Sequence, residues 1–191
     1  MSRSVLIKGE EFKFSCAHFV SYQGFRERLH GHNYTVEVEV AGPMNDSDGY
    51  VIDFGILKRN LRKVCKSLNE RILIPTRSST LSFRYAASPS CARETDTRQF
   101  ASCGTSDVSE EAAESGQVEI TCQDGAFFSI PRSDCALLPI AFSTAEQLSA
   151  YLSSWLKEAL KDDFRDRNIS SITVRVFERP TQAASYRIEW C

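Results

Sequence analysis

The sequence predicts an α+β domain: an antiparallel sheet with two helices on one face. Three observations predict it. Two early segments alternate apolar and polar residues, two later segments repeat apolar residues at helical spacing, and strand patterns are bunched at both ends of the chain. The order is strand, strand, helix, interruption, hairpin, helix, strand, strand. That is not the strict alternation of a parallel sheet, so an antiparallel sheet is the economical solution.

Val5 to Ala17 sets Phe12, Phe14 and Cys16 against Glu11, Lys13 and Ser15. Asn33 to Val40 sets Tyr34, Val36, Val38 and Val40 against Asn33, Thr35, Glu37 and Glu39, and both segments read as half-buried strands. Between them, Ser21 to Arg28 holds Gly24 and three charges and reads as a loop. After the turn Met44 to Gly49, Val51-Ile52-Asp53-Phe54 leads into a helix with Leu57, Leu61, Val64 and Leu68 on one face and Asp53 as its N-cap. Residues 76–117 are rich in Ser, Ala, Thr, Glu and Arg without a sustained period, and most of this stretch reads as a disordered insertion. Val118 to Cys122 and Ala126 to Ile130 form a hairpin around Gln123-Asp124-Gly125, expected to extend the sheet or decorate one end. Ser143-Thr144-Ala145-Glu146 fits a capping box opening a second helix with Leu148, Leu152, Trp155, Leu156 and Leu160 on one face. Ser171 to Glu178 and Ala184 to Trp190 are the last strands.

With 191 residues, 42% hydrophobic content and 12 phenylalanines, the chain is read as one domain, 1–191, with a real core. Lys+Arg 23 against Asp+Glu 25 gives a net charge of −2, so no general basic field gathers nucleic acid or anionic lipid. An anionic substrate must be met by local residues. No stretch approaches membrane-helix length, and the stretch from Met1 to Glu10 is charged where a secretory signal is apolar. Seven cysteines without a CxxC pair fit free thiols in a reducing compartment, and the expectation is a cytoplasmic protein with neither nucleic acid nor membrane as partner.

All three histidines lie within fifteen residues, at His18, His30 and His32. In an extended strand His30 and His32 point the same way, and Gly31 leaves room for a ligand or a neighbouring backbone. A lone His-x-His is more often an ordinary surface or core pair. A third imidazole at the end of the paired strand turns the balance toward three nitrogen ligands with an open fourth position, the arrangement of catalytic zinc.

Phe14 to His18, Leu29-His30-Gly31-His32-Asn33-Tyr34, Gly49 to Phe54, Ser143 to Leu148 and Val176-Phe177-Glu178 together resemble the 6-pyruvoyl-tetrahydropterin synthase family. The resemblance spans the chain except the insertion. It implies the tunnelling fold, in which a four-stranded antiparallel sheet carries two helices, three subunits join sheets into a barrel, and two trimers stack into a hexamer with interface active sites. It further implies Zn²⁺ on His18, His30 and His32, 7,8-dihydroneopterin triphosphate as substrate, and Glu178 as the anchor of the pterin ring. A carboxylate there can accept two hydrogen bonds from the ring's amino and N–H groups. Thr144 and Glu146 correspond to positions near the pterin, although capping explains Glu146 equally well.

Two departures from the family narrow the chemistry. Its synthases place a cysteine a few residues before His-Gly-His, where this chain has Arg26-Glu27-Arg28-Leu29, and an Asp-His pair after the first helix, where it has Asn69-Glu70. The resemblance is to the branch that carries a glutamate in the cysteine region and makes 6-hydroxymethyl-7,8-dihydropterin, a folate precursor. Glu27 is accordingly the candidate base, since a carboxylate near zinc can take a proton from a substrate hydroxyl. Without the family it would read as a solvated loop charge. Arg26 and Arg28 stay open between triphosphate contact and solubility. Three functions follow: the side-chain-cleaving lyase, a 6-pyruvoyl-tetrahydropterin synthase that eliminates triphosphate, or a zinc-containing pterin-binding protein without catalysis.

Overall fold

The computed structural model describes residues 2–86 and 116–190. Its centre is one long strand, β5 (His30–Gly42), whose even positions from Tyr34 to Val40 are buried while its odd positions are not. Strands β1 (Arg3–Ile7) and β2 (Lys13–His18) pair antiparallel with β5, matching Ile7 to Val38 and Lys13 to Thr35. The single alternating segment expected over Val5 to Ala17 is thus two strands. A turn separates them, closed by the Phe12 N–H donating to the Gly9 carbonyl at 3.1 Å, with Gly9 at φ +152° where other residues are strained.

The stretch expected as a loop is backbone-paired instead. Ser21–Tyr22 (β3) and Phe25–Arg26 (β4) form a small hairpin with Gly24 at φ +79°. The tight turn overrides the polar composition, and the Tyr22 and Phe25 rings stack with centroids 4.9 Å apart.

Helix α1 (Phe54–Leu68) starts at Asp53, whose carboxylate accepts from the Gly55 N–H at 2.6 Å as the N-cap pattern predicts. It buries Leu57, Leu61, Val64, Cys65 and Leu68, so truncating Leu61 to Ala would cost about 2–5 kcal/mol. The chain then returns as β6 (Arg71–Pro75), parallel to β2, and β10 (Cys135–Leu138) adds on parallel to β6. On the far side of β5 lie β11 (Ser171–Arg179) and β12 (Gln182–Glu189), both antiparallel. The sheet therefore has seven strands in place of four, and two of its pairings are parallel. Both added strands are short apolar runs without alternation, a pattern that periodicity cannot tell from a buried helix turn.

Helix α2 (Ala145–Ala159) and the short α3 (Lys161–Asp166) precede β11. Leu57, Leu61, Leu148, Leu152 and the buried valines of β5 belong to one core, so α1 and α2 cover the same face of the sheet. Among the described residues no helix is long and apolar enough to cross a membrane.

The expected hairpin forms as β8 (Gln117–Cys122) and β9 (Phe127–Pro131), but with β7 (Leu81–Ala86) it makes a separate three-stranded sheet. Its Leu81, Val118, Ile120 and Ile130 share a second core with Phe19, Ile74 and Cys135. The segment expected as an insertion from 76 thus contains a strand, built on Leu81 and the partly buried Phe83. The expectation of disorder for residues 87–115 lies outside the described residues.

Candidate metal centre and the cavity beside it

Strand register brings the histidines together. In the β2–β5 ladder His18 stands opposite His30 and Cys16 opposite His32, so all three imidazoles share the helix-covered face. Ring centroids are 4.7 Å apart for His18 and His30, 4.8 Å for His30 and His32, and 5.2 Å for His18 and His32. One ligating atom from each lies within 4.8 Å of the others. Gly31 lets the strands close: a Cβ there would sit 3.3 Å from the Cys16 carbonyl oxygen.

Outer partners select the donor nitrogen. His18 Nδ1–H donates to the Ser143 carbonyl at 2.8 Å, and His30 Nδ1–H donates to the Arg28 carbonyl at 2.8 Å. A carbonyl only accepts, so both rings carry the proton on Nδ1 and present the Nε2 lone pair. His32 Nε2 is buried without a hydrogen bond; a Glu178 carboxylate oxygen comes within 2.8 Å of it but off the line of a ring N–H. Burial holds His18 below the ordinary imidazole range, against the pull of the Ser143 carbonyl, which keeps it neutral as a ligand must be. The Tyr34 hydroxyl is 3.3 Å from His18 Nε2, and burial pushes its phenol up so that it remains a neutral donor. Three imidazoles with their ligating atoms this close, one of them an orphaned buried nitrogen, fit a borderline-soft divalent cation.

Beside the histidines lies a cavity of about 340 Å³ lined by His18, His30, Glu27, Thr144, Glu146, Glu178 and Gln182, among others. Of the metal, base and pterin positions expected from the sequence, all but His32 line it; His32 faces Glu178 across the ion-pair contact, and neither Arg26 nor Arg28 is part of the wall. Glu27 follows the β3–β4 hairpin and pairs twice with Val20: its N–H donates to the Val20 carbonyl at 2.9 Å, and its Oε2 accepts from the Val20 N–H at 3.1 Å.

The capping box does not form. Thr144 is the N-cap of α2, accepting from the Gln147 N–H at 3.4 Å, which leaves Glu146 in the first turn as part of the cavity wall. Ser143 is instead fully buried, with its hydroxyl donating to the Phe19 carbonyl at 2.9 Å. That role as the support of His18 escaped sequence reasoning, because a backbone carbonyl leaves no residue-type signal. Gln182 was also missed. Asn69 and Glu70 are structural: Asn69 Oδ1 accepts from the Ser15 N–H at 2.9 Å, and Glu70, at φ +59°, donates its N–H to the Ser15 carbonyl at 2.6 Å. Arg26 is engaged by Asp124 at 2.7 Å, whereas Arg28 is exposed.

A mixed, mainly antiparallel sheet with a histidine triad beside a carboxylate-lined cavity defines a narrow class. The chain matches the 6-pyruvoyl tetrahydropterin synthase family over residues 8–189. It belongs to that family, has its tunnelling-type fold, and is a lyase. A Plasmodium falciparum 6-pyruvoyl tetrahydropterin synthase superposes with a TM-score of 0.80 at 34% identity, covering 99% of each chain. Plasmodium vivax 6-pyruvoyltetrahydropterin synthase, in variants whose catalytic glutamate is replaced by alanine or cysteine, gives a TM-score of 0.80 at 31% identity, covering 100% of this chain and 99% of its own. A Methanocaldococcus jannaschii protein assigned provisionally as a 6-carboxy-5,6,7,8-tetrahydropterin synthase is 27% identical over 184 residues, covering 92% of this chain and 89% of its own.

Proposed function

We propose that this lyase cleaves the side chain of 7,8-dihydroneopterin triphosphate to give 6-hydroxymethyl-7,8-dihydropterin, with Glu27 as the general base. One observation carries the reading: a carboxylate stands in the histidine-lined cavity where, among the described residues, no cysteine does. The catalytic glutamate of the Plasmodium vivax enzyme supports it.

His18, His30 and His32 would hold Zn²⁺, which when bound polarises substrate oxygen. Glu27 has one oxygen tied to the Val20 N–H, leaving the other to take a proton. Loss of the proton from the hydroxyl on the second side-chain carbon makes that carbon a carbonyl as its bond to the first carbon breaks. The electron pair passes into the pterin ring and returns with a proton to the first carbon, which keeps its own hydroxyl. Glu178 anchors the ring's amino and N–H groups, with Thr144 and Glu146 completing the wall. The family's assembly, two stacked trimers with sites between subunits, and a cytoplasmic location complete the reading.

The archaeal relative's name favours a second reading, formation of a 6-carboxy product. Incubation with 7,8-dihydroneopterin triphosphate and chromatographic identification of the pterin tests both. The 6-hydroxymethyl compound supports side-chain cleavage by Glu27; a 6-carboxy or 6-pyruvoyl product contradicts it, and no turnover would leave a zinc-containing pterin-binding protein.

A further inference from the structure

The separate three-stranded sheet is not needed to form the metal centre, whose ligands all lie on β2 and β5. Its side chains nevertheless converge on the hairpin that precedes Glu27. At the hairpin's start the Ser21 and Thr80 hydroxyls, both buried, meet at 2.9 Å, one residue before β7 begins. At its turn Gln123 Nε2 donates to Gln23 Oε1 at 3.2 Å. At its end Arg26 Nε donates to Asp124 Oδ2 at 2.7 Å.

Arg26 is the junction. Besides Asp124, it donates from Nη1 to the Glu27 carbonyl at 3.0 Å. Its guanidinium lies 6.0 Å from the Phe19 ring centroid and 5.8 Å from that of Phe128, and those two rings stack at 5.2 Å. Phe128 belongs to β9, so the cation is seated between the base-bearing segment and the second sheet. A guanidinium held along two donor directions and by ring contacts fixes the backbone of the next residue. Asp124 is itself fixed, since its Oδ1 accepts from the Ala126 N–H at 3.1 Å within the β8–β9 turn.

We propose that the second sheet is a brace that aims Glu27, with Arg26 as the positioning residue that transmits the constraint from Asp124. The effect on turnover rests on Glu27 being the base; the brace itself does not. Asp124→Asn separates the two, because the amide oxygen still accepts from Ala126 while the amide nitrogen turns a donor toward Arg26. Hydrogen exchange on the full-length zinc-loaded protein should then show the Val20 and Glu27 amides at least tenfold faster, with Val36 and Val38 unchanged. With 7,8-dihydroneopterin triphosphate, kcat should fall about 10- to 100-fold at constant KM and metal content, the scale expected when a reacting group is displaced by a fraction of an ångström to an ångström. In a Glu27→Gln background the same substitution should lower kcat no further, and Arg26→Gln should reproduce both results.

Unchanged exchange at Val20 and Glu27 in Asp124→Asn overturns the brace; faster exchange there with unchanged kcat, when Glu27→Gln itself loses turnover, overturns its role in aiming the base. An equal further loss in the Glu27→Gln background overturns its action through Glu27. Faster exchange together with full activity of Glu27→Gln upholds the brace and removes Glu27 as base.

Discussion

His18 is oriented by a residue 125 positions away: its Nδ1–H donates to the Ser143 carbonyl at 2.8 Å, while the Ser143 hydroxyl donates to the carbonyl of Phe19, the residue after His18. The start of α2 and the end of β2 are thus locked by two reciprocal bonds in a buried setting. Ser143→Ala leaves the Phe19 carbonyl unpaired and should cost about 1–3 kcal/mol in urea unfolding. The carbonyl that accepts from His18 Nδ1–H stays in the variant, so zinc retention should weaken only as far as loss of the Phe19 bond lets that carbonyl shift. Wild-type stability and metal affinity in the variant would detach Ser143 from the site.

Glu178 both contacts His32, at 2.8 Å, and lines the cavity. Glu178→Gln should weaken neopterin binding at least tenfold, because one acceptor becomes a donor facing donors. Zinc content should stay unchanged, since the proposed ligands are the three histidines. Equal affinity for neopterin in titration calorimetry would remove Glu178 from the pterin site.

Cys16 lies two residues before His18 and could be mistaken for the family's missing thiol. Burial pushes its thiol up to about 12, and that of Cys65 likewise to about 12, so both are protonated and unreactive at pH 8. Cys16→Ala should therefore keep turnover within about twofold, less than the loss of a general base would cost. The sign of the pH effect follows from linkage. The unfolded chain releases these protons near the ordinary thiol pKa of about 8.5 while the folded chain keeps them, so stability is level below that pH and falls as pH rises toward 12. Urea midpoints should drop between pH 8 and 10, and a double alanine variant at Cys16 and Cys65 should flatten the slope. A flat wild-type profile would contradict the burial of the thiols.

Ala86 and Gln117, which flank residues 87–116, are register partners across β7 and β8 and so stand a hairpin's width apart. Replacing 87–116 by Asn-Gly, a favoured two-residue turn, should leave zinc content and assembly unchanged. A change of oligomer size on sizing chromatography would show that the replaced segment takes part in assembly.

What the sequence made legible has a physical pattern. Strand β5, the helix faces and the N-cap at Asp53 were readable because periodicity and capping are local. Strands β6 and β10 were not, since Ile72-Leu73-Ile74 and Ala136-Leu137-Leu138 show no alternation and their parallel pairing depends on distant partners. The same division holds in the site. His30 and His32 announce themselves by spacing, and His18 by its place on the paired strand. The Ser143 carbonyl, the Val20 N–H against Glu27 and the seat of Arg26 are tertiary and could be read only in three dimensions.

The proposed side-chain cleavage depends on Glu27 as base. Glu27→Gln is nearly isosteric and should retain zinc and bind 7,8-dihydroneopterin triphosphate as the wild type does, while kcat falls about 10²- to 10⁴-fold, the usual contribution of a positioned base. Metal analysis, substrate binding and single-turnover product formation on the same preparation measure this directly. Loss of 6-hydroxymethyl-7,8-dihydropterin formation with binding intact is the predicted result; full turnover in the variant, or a wild type that makes only a 6-pyruvoyl or 6-carboxy product, would contradict it.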